Sequence, residues 1–335
     1  MFRLQISDLR RLVIVLSSGV FAILTLSYLL SATLISKNDR MGSIPTTSDF
    51  KFEVVPGVFW QSEEGTNPDE FDYTKTNFGL IDRTYESDND SSTGEQWQRF
   101  QAFVEHLNKA SPPIVLYKVI YLGRHGEGYH NVAEAHYGTK EWDVYWSKLD
   151  GDGTSFWSDA HLTPIGEGQA LEAHAFMEKQ LTLAKMPAPC SYVVSPLYRC
   201  IQTANLTWTN LELPIDKPFR PVIKELIREV LGEHTCDRRS SKSFIQKSVP
   251  TWTIEDGFTE NDELWQADHR ETDAEHDVRS TSLLNDVFSN ENSGAFMSFT
   301  AHSGTIASLL RVIGHQKFKL QTGGLLPVLV KATRH

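Results

Sequence analysis

The run Val119-Ile-Tyr-Leu-Gly-Arg-His-Gly126 is apolar and β-prone, and it ends abruptly in Arg124-His125-Gly126. A buried strand that stops on a cation, an imidazole and a glycine delivers chemistry to one mouth of a sheet. The ring is nucleophile-capable, the guanidinium is a bidentate anion clamp, and the glycine lets backbone approach a ligand closely. Two further segments share the design. Tyr192-Val-Val-Ser-Pro-Leu-Tyr-Arg-Cys-Ile-Gln-Thr-Ala204 reads as a short strand, a turn at Ser195-Pro196, then a helix. Leu197, Cys200, Ile201 and Ala204 form its apolar stripe, with Arg199 off that stripe in the first turn. Phe296-Met-Ser-Phe-Thr-Ala-His-Ser-Gly-Thr305 gives a strand, then His302-Ser303-Gly304, then a helix carrying Ile306, Leu309, Leu310 and Ile313 at the same spacing.

Taken singly, a histidine at a strand end is an ordinary hydrogen-bonded group and an arginine in a first helical turn an ordinary solvated one. Arg199 is even disfavoured there by the helix dipole, so it needs an anionic partner. Recurrence of such residues at three strand-to-helix turns favours function, because ligands of open α/β sheets bind beyond the carboxyl ends of the strands. Helix N-termini at the same place add N–H donors for an anion.

These motifs, together with Leu162-Thr163-Pro164-Ile165-Gly166-Glu-Gly-Gln169-Ala170, Arg228-Glu-Val-Leu-Gly-Glu-His-Thr-Cys-Asp-Arg-Arg239 and Gly323-Gly-Leu-Leu-Pro-Val-Leu-Val-Lys331, resemble the histidine phosphatase superfamily. The likeness spans roughly residues 50 to 333 and looks closest to a fungal phosphomutase-like branch. It implies a three-layer α/β/α sandwich with a mostly parallel central sheet. It implies phosphomonoester hydrolysis through a phosphohistidine on His125, with Arg124, Arg199 and His302 holding the phosphoryl oxygens. Asn131 is carried over as a further phosphate contact, against its alternative as a residue bonding its own backbone; His130 has weaker support. The proton donor to the leaving group is expected at Glu229 in preference to Glu225. Two alternatives stay open: a mutase using the same intermediate, and a scaffold that only binds phosphorylated ligands.

Other residues are weighed on their own chemistry. Arg238, Arg239 and Lys242 form a basic cluster, read either as a solvated loop or as a second anion site. His234 and Cys236 lie close together, but with only Cys190, Cys200 and Cys236 in the chain and no paired CxxC spacing, a zinc site is not expected. No cofactor is implied. The segment Lys51 to Phe71 is read as part of the folded unit but ahead of the sheet proper. Residues of about 240–290 are read as a variable acidic insertion, in which Trp265 lines the site or packs on the sheet.

The chain has 335 residues and a net charge of −11, which argues against nucleic acid as a partner and makes an anionic substrate depend on local cations. Alternating strands and helices from about residue 116 onward point to one α/β unit. Upstream, Leu12 to Ile35 is free of charge and long enough, at about 1.5 Å per residue, to cross a core of roughly 30 Å. The expected organisation is a tail at 1–11, a transmembrane signal anchor at 12–36, a linker at 37–49 and the catalytic domain at 50–335. Arg3, Arg10 and Arg11 ahead of the apolar run favour a lumenal or extracellular domain, a cytoplasmic one being the alternative. Asn89-Asp-Ser91 is a glycosylation acceptor by pattern. The expected partners are a phosphorylated small molecule and the membrane; oligomeric state is left open.

Overall fold

A computed structural model describes residues 49–88 and 94–335. The expected anchor at 12–36, its linker up to residue 48 and Asn89 lie outside the described residues. Among the described residues no helix is long and apolar enough to cross a membrane.

Seven strands form one sheet: β1 (Phe50–Val54), β2 (Val115–Arg124), β3 (Ser191–Val194), β4 (Pro221–Ile223), β5 (Thr253–Ile254), β6 (Phe296–Ala301) and β7 (Leu325–Arg334). Their spatial order is β1-β7-β2-β6-β3-β4-β5. The β2, β6, β3, β4 and β5 strands run parallel, and β7 is antiparallel to both of its neighbours. The sheet is therefore mostly parallel, with an antiparallel edge.

The segment expected to precede the sheet supplies its outermost strand instead. In β1, Phe50 and Phe52 turn inward and meet Phe288, with ring centroids 6.2 and 5.3 Å apart. Five residues alternating aromatic and charged side chains are too short to register as a strand against their turn-rich sequel.

Side-chain alternation along β2 creates the two outer layers, because successive residues face opposite sides of a pleated strand. Ile120 and Leu122 join a core with α7 (Asp273–Ser289) and α8 (Ser303–Val312). Val119 and Tyr121 face the other way, onto α1 (Gln96–Ala110) and α4 (Pro164–Thr182). The helix α5 (Tyr198–Trp208) buries the expected stripe, Cys200, Ile201 and Ala204, against Val194 and Ile223. Thr163 caps α4 by accepting from the Gly166 N–H, and Pro164 occupies the first turn. The region of 240–290 is not all insertion: α7 sends Leu283, Leu284, Val287 and Phe288 into the core.

Candidate active site

Parallel register brings the site together. Arg124, the last residue of β2, pairs with Ala301, the last of β6, so His125 and His302 emerge side by side. Their ring centroids are 5.2 Å apart. On the other flank of β6, Val194 pairs with Thr300, which starts α5 and Arg199 from the same mouth of the sheet. A cleft of about 240 Å³ opens there, lined among others by Arg124, His125, His130, Asn131, Arg199 and Glu229.

His125 is buried, and its Nδ1 lies 2.7 Å from the carbonyl oxygen of Gly126. A carbonyl only accepts, so Nδ1 carries the proton and Nε2 of the neutral ring carries the lone pair. Burial pushes the His125 pKa well below the usual imidazole range, and the charges of Arg199 and Arg124 push the same way. His130, whose ring lies 5.3 Å from that of His125, is held neutral chiefly by burial and next by Arg199.

Arg199 is buried in the first turn of α5 and has the anionic partner its position demands. Its Nη2 donates to Asp237 Oδ1 at 2.9 Å and its Nη1 to the Cys236 carbonyl at 2.6 Å. Arg124 donates Nη1 to the Leu320 carbonyl at 2.8 Å. The Nε atoms of Arg124 and Arg199 and Nδ1 of His130 are buried without a hydrogen-bond partner. The two arginine Nε–H groups are unpaired donors beside one cleft, and a bound anion would satisfy them.

Glu229 lines the cleft as well. Its Oε2 accepts from the Gly304 N–H at 3.1 Å and its Oε1 from the Val230 N–H at 3.0 Å. Burial, then the charge of Asp237, raises its pKa above the usual carboxylate range, against the lowering from those hydrogen bonds and Arg199. Its loop is gripped by the buried Arg279, which donates to the carbonyls of Leu226, Arg228 and Glu229. Glu225, the other candidate acid, is turned away and paired with Arg228 at 3.0 Å and Arg239 at 2.6 Å.

Several expectations meet a different arrangement. His302 does not line the cleft: it is fully buried behind His125, with Nε2 2.7 Å from Ser195 Oγ and 3.4 Å from Cys200 Sγ. Asn131 lines the cleft, and its Oδ1 accepts from the Gly128 N–H at 2.9 Å, the backbone bond weighed as its alternative. Gly126 serves backbone rather than ligand, since a Cβ there would sit 2.2 Å from the Gly166 carbonyl oxygen. Of the basic cluster, Arg239 is neither solvated nor in the cleft; it lies under Phe258, bonded to Glu225 and to loop carbonyls. Arg238 pairs with Asp150 and stacks on Trp265, whose indole donates to the His234 carbonyl, so that tryptophan packs outside the cleft.

From this part of the chain the cleft is faced by Arg270, which no sequence pattern singled out, and by His234, weighed in the sequence only as a metal ligand, whose pKa is lowered chiefly by burial. Arg270 donates to the Gly232 carbonyl at 2.8 Å and lies 3.3 Å from Asp237 Oδ2. Asp237 was missed with Arg270, although a buried arginine at residue 199 calls for an acid. His234, Cys236 and Asp237 place possible ligand atoms within 4.8 Å of one another. They suit a metal poorly, because Asp237 is already shared by Arg199 and Arg270, and burial pushes the Cys236 thiol far up.

Comparison with known proteins identifies the family. A family profile described as the histidine phosphatase superfamily (branch 1) matches residues 120–322. The chain is 50% identical over 294 residues to a probable phosphoglycerate mutase of Arthroderma benhamiae, the match covering 87% of each chain. It is 39% identical over 214 residues to phosphomutase-like protein 3 of Candida albicans, covering 64% of this chain and 65% of that one. With the probable phosphoglycerate mutase PMU1 of Saccharomyces cerevisiae it shares 39% identity over 236 residues, 64% of this chain and 79% of the other. On this evidence the chain belongs to the histidine phosphatase superfamily, in the branch of its fungal phosphoglycerate-mutase-like relatives.

Proposed function

We propose that the protein hydrolyses phosphomonoesters through a phosphohistidine on His125. The lone pair of Nε2 attacks phosphorus, the bond from phosphorus to the ester oxygen breaks, and the departing alkoxide takes the proton of Glu229. Water then attacks the phosphohistidine, gives its proton back to Glu229, and releases phosphate and the neutral ring. Arg124 and Arg199, with Asn131, hold the non-bridging oxygens, and His302 supports the ring of His125 from behind. Such catalysis is mostly positioning and charge stabilisation.

One observation carries the reading: a neutral imidazole with its lone pair on Nε2 shares one cleft with two arginines and with a carboxyl whose pKa burial raises. A pure binding scaffold has no use for that nucleophile. The deciding experiment is rapid quench with a ³²P-labelled phosphomonoester. Label is expected on His125, acid-labile and absent from His125→Ala; an unlabelled wild-type protein that still turns over would sink the mechanism. Glu229→Gln should turn over about 10²–10⁴-fold more slowly on alkyl esters. Good leaving groups should rescue it in part, and an absence of rescue would move the acid elsewhere.

The names of the fungal relatives favour a second reading, transfer of the phosphoryl group to another hydroxyl. Free phosphate released without an added bisphosphate separates hydrolysis from it. We also propose that residues 12–36 anchor the chain in a membrane with the catalytic domain on the lumenal or outer side. Extraction by alkaline carbonate would overturn the anchor, and a glycosidase-sensitive mass lost in Asn89→Gln would support that side over the cytoplasmic one.

A further inference from the structure

A second cavity, also of about 240 Å³, adjoins the cleft and has a different character. Its walls are mainly carbon, from Ile306, Ala307 and Leu310 of α8 and from Phe318 and Leu320 of the segment before β7. Two features join it to the cleft. Ser303 lines both, and the Leu320 carbonyl accepts the hydrogen bond of the cleft residue Arg124. Ser303 is also the residue beside the acid, its Oγ 3.4 Å from Glu229 Oε2. In the hydrolysis proposed above, the ester oxygen must lie against Glu229 when it leaves, so the organic group it carries starts next to Ser303. The apolar cavity begins there. Lys317 and Lys319 rim it, which favours a molecule carrying negative charge at one end, whereas Arg311 on the same wall is paired with Asp277 at 2.7 Å and Asp273 at 3.3 Å.

We infer that the alcohol portion of the substrate is apolar and lies in this cavity, making the natural substrate class a phosphomonoester of an aliphatic or aromatic alcohol. This rests on the hydrolytic reading and adds the substrate class to it. Burying a methylene is worth about a fourfold change in an equilibrium constant, so kcat/KM for primary alkyl phosphates should climb by roughly tenfold or more from ethyl to octyl phosphate. Ala307 is exposed on the cavity wall and outside the catalytic cleft, so Ala307→Trp should fill the cavity without touching the nucleophile or the acid.

The experiment measures phosphate release by both proteins from the alkyl series and from acetyl phosphate, a small donor with a good leaving group and nothing to place in the cavity. The expected result is a steep chain-length dependence that Ala307→Trp flattens, with acetyl phosphate hydrolysis unchanged. A flat series in the wild-type protein, with acetyl phosphate still hydrolysed, overturns the inference and spares the parent reading. So does a chain-length dependence that survives Ala307→Trp, since the chain would then lie elsewhere. No turnover of any donor, acetyl phosphate included, overturns the hydrolytic reading and this inference with it.

Discussion

Arg199 shows how much one side chain is asked to do. Its planar fork reaches the Asp237 carboxylate with one nitrogen and the Cys236 carbonyl with another, while Nε stays unpaired beneath the cleft. An ammonium keeps the charge but is a single point on a flexible stem and cannot span those positions. Arg199→Lys is therefore expected to lower kcat by about 10²-fold or more. It should also cost a few kcal/mol of stability, since breaking a buried pair costs about 3–5 kcal/mol and lysine restores part of it. Steady-state kinetics and urea titration of the one variant measure both; near-normal turnover would count against the arginine as an oxyanion clamp. Glycine matters at this scale too. A Cβ at Gly304 would lie 2.2 Å from Glu229 Oε1, so only the bare backbone lets the acid seat itself on the N-terminus of α8. Gly304→Ala should displace the carboxyl and reproduce much of the Glu229→Gln loss, including rescue by good leaving groups. A wild-type rate on alkyl esters would show that the acid does not depend on that seat.

Among the elements, the strand-to-helix turns were legible in the sequence because each is local: an apolar run, a polar break, then a stripe at helical spacing. The turn after β2 carries one more constraint that the sequence hid. Gly126 and Gly166 face each other where that turn crosses the start of α4, and a Cβ on Gly166 would come within 2.1 Å of the Glu127 carbonyl oxygen. Both obstacles are backbone, which cannot swing aside as a side chain does. Gly126→Ala or Gly166→Ala should lower the urea midpoint by an amount worth about 1–3 kcal/mol or more, in contrast to Gly168→Ala, whose Cβ meets nothing within 4 Å. Equal midpoints for the three variants would refute the crossing. The residues that sequence reasoning missed arrive by another route. His234 and Asp237 share one short 3-10 turn with no period to betray them, and Arg270 reaches them only after the chain has wound through α6 (Lys242–Ser248) and β5. The inward turn of Arg239 was equally hidden, since its partners Glu225 and Thr259 are 14 and 20 residues away.

For the molecule as a whole, three neutral imidazoles packed at one mouth of the sheet tie stability to pH. Burial holds His125, His130 and His302 well below the usual value of 6.5. The unfolded chain takes up protons near that value while the folded one does not. The stability they contribute is therefore complete above 6.5 and is lost as pH falls from there toward their folded values, by up to about 1.4 kcal/mol per pH unit for each ring. Glu229 acts with the opposite sign, its raised pKa contributing stability at low pH that fades as pH rises through its folded value. Asp159 and Glu255, also raised chiefly by burial, act as Glu229 does, while His234, His276 and His315 are lowered like the three rings of the site. The lowered histidines outnumber the raised carboxyls and set the trend as pH falls below 6.5. The urea midpoint should drop over that range and drop less in His302→Gln; a midpoint independent of pH would mean that the rings are not buried as neutral groups. The parallel sheet and its two helical layers were readable from alternation and from the resemblance. The antiparallel edge was not, because β1 and β7 pair across almost the whole length of the unit.

That edge joins the two ends of the described unit: Phe50 lies opposite Arg334, and the His335 N–H donates to the Asp49 carbonyl at 3.1 Å. Phe50 and Val115 flank the tip of β7, so both ends meet at the pole of the sheet farthest from the catalytic mouth beyond Arg124. Sequence order is thus nearly arbitrary there, and a short peptide bridge from residue 335 to residue 49 would close the unit into a ring. Reopened at Ile215, which is 99% exposed in the loop after α5, the circular permutant should fold and react as its parent does.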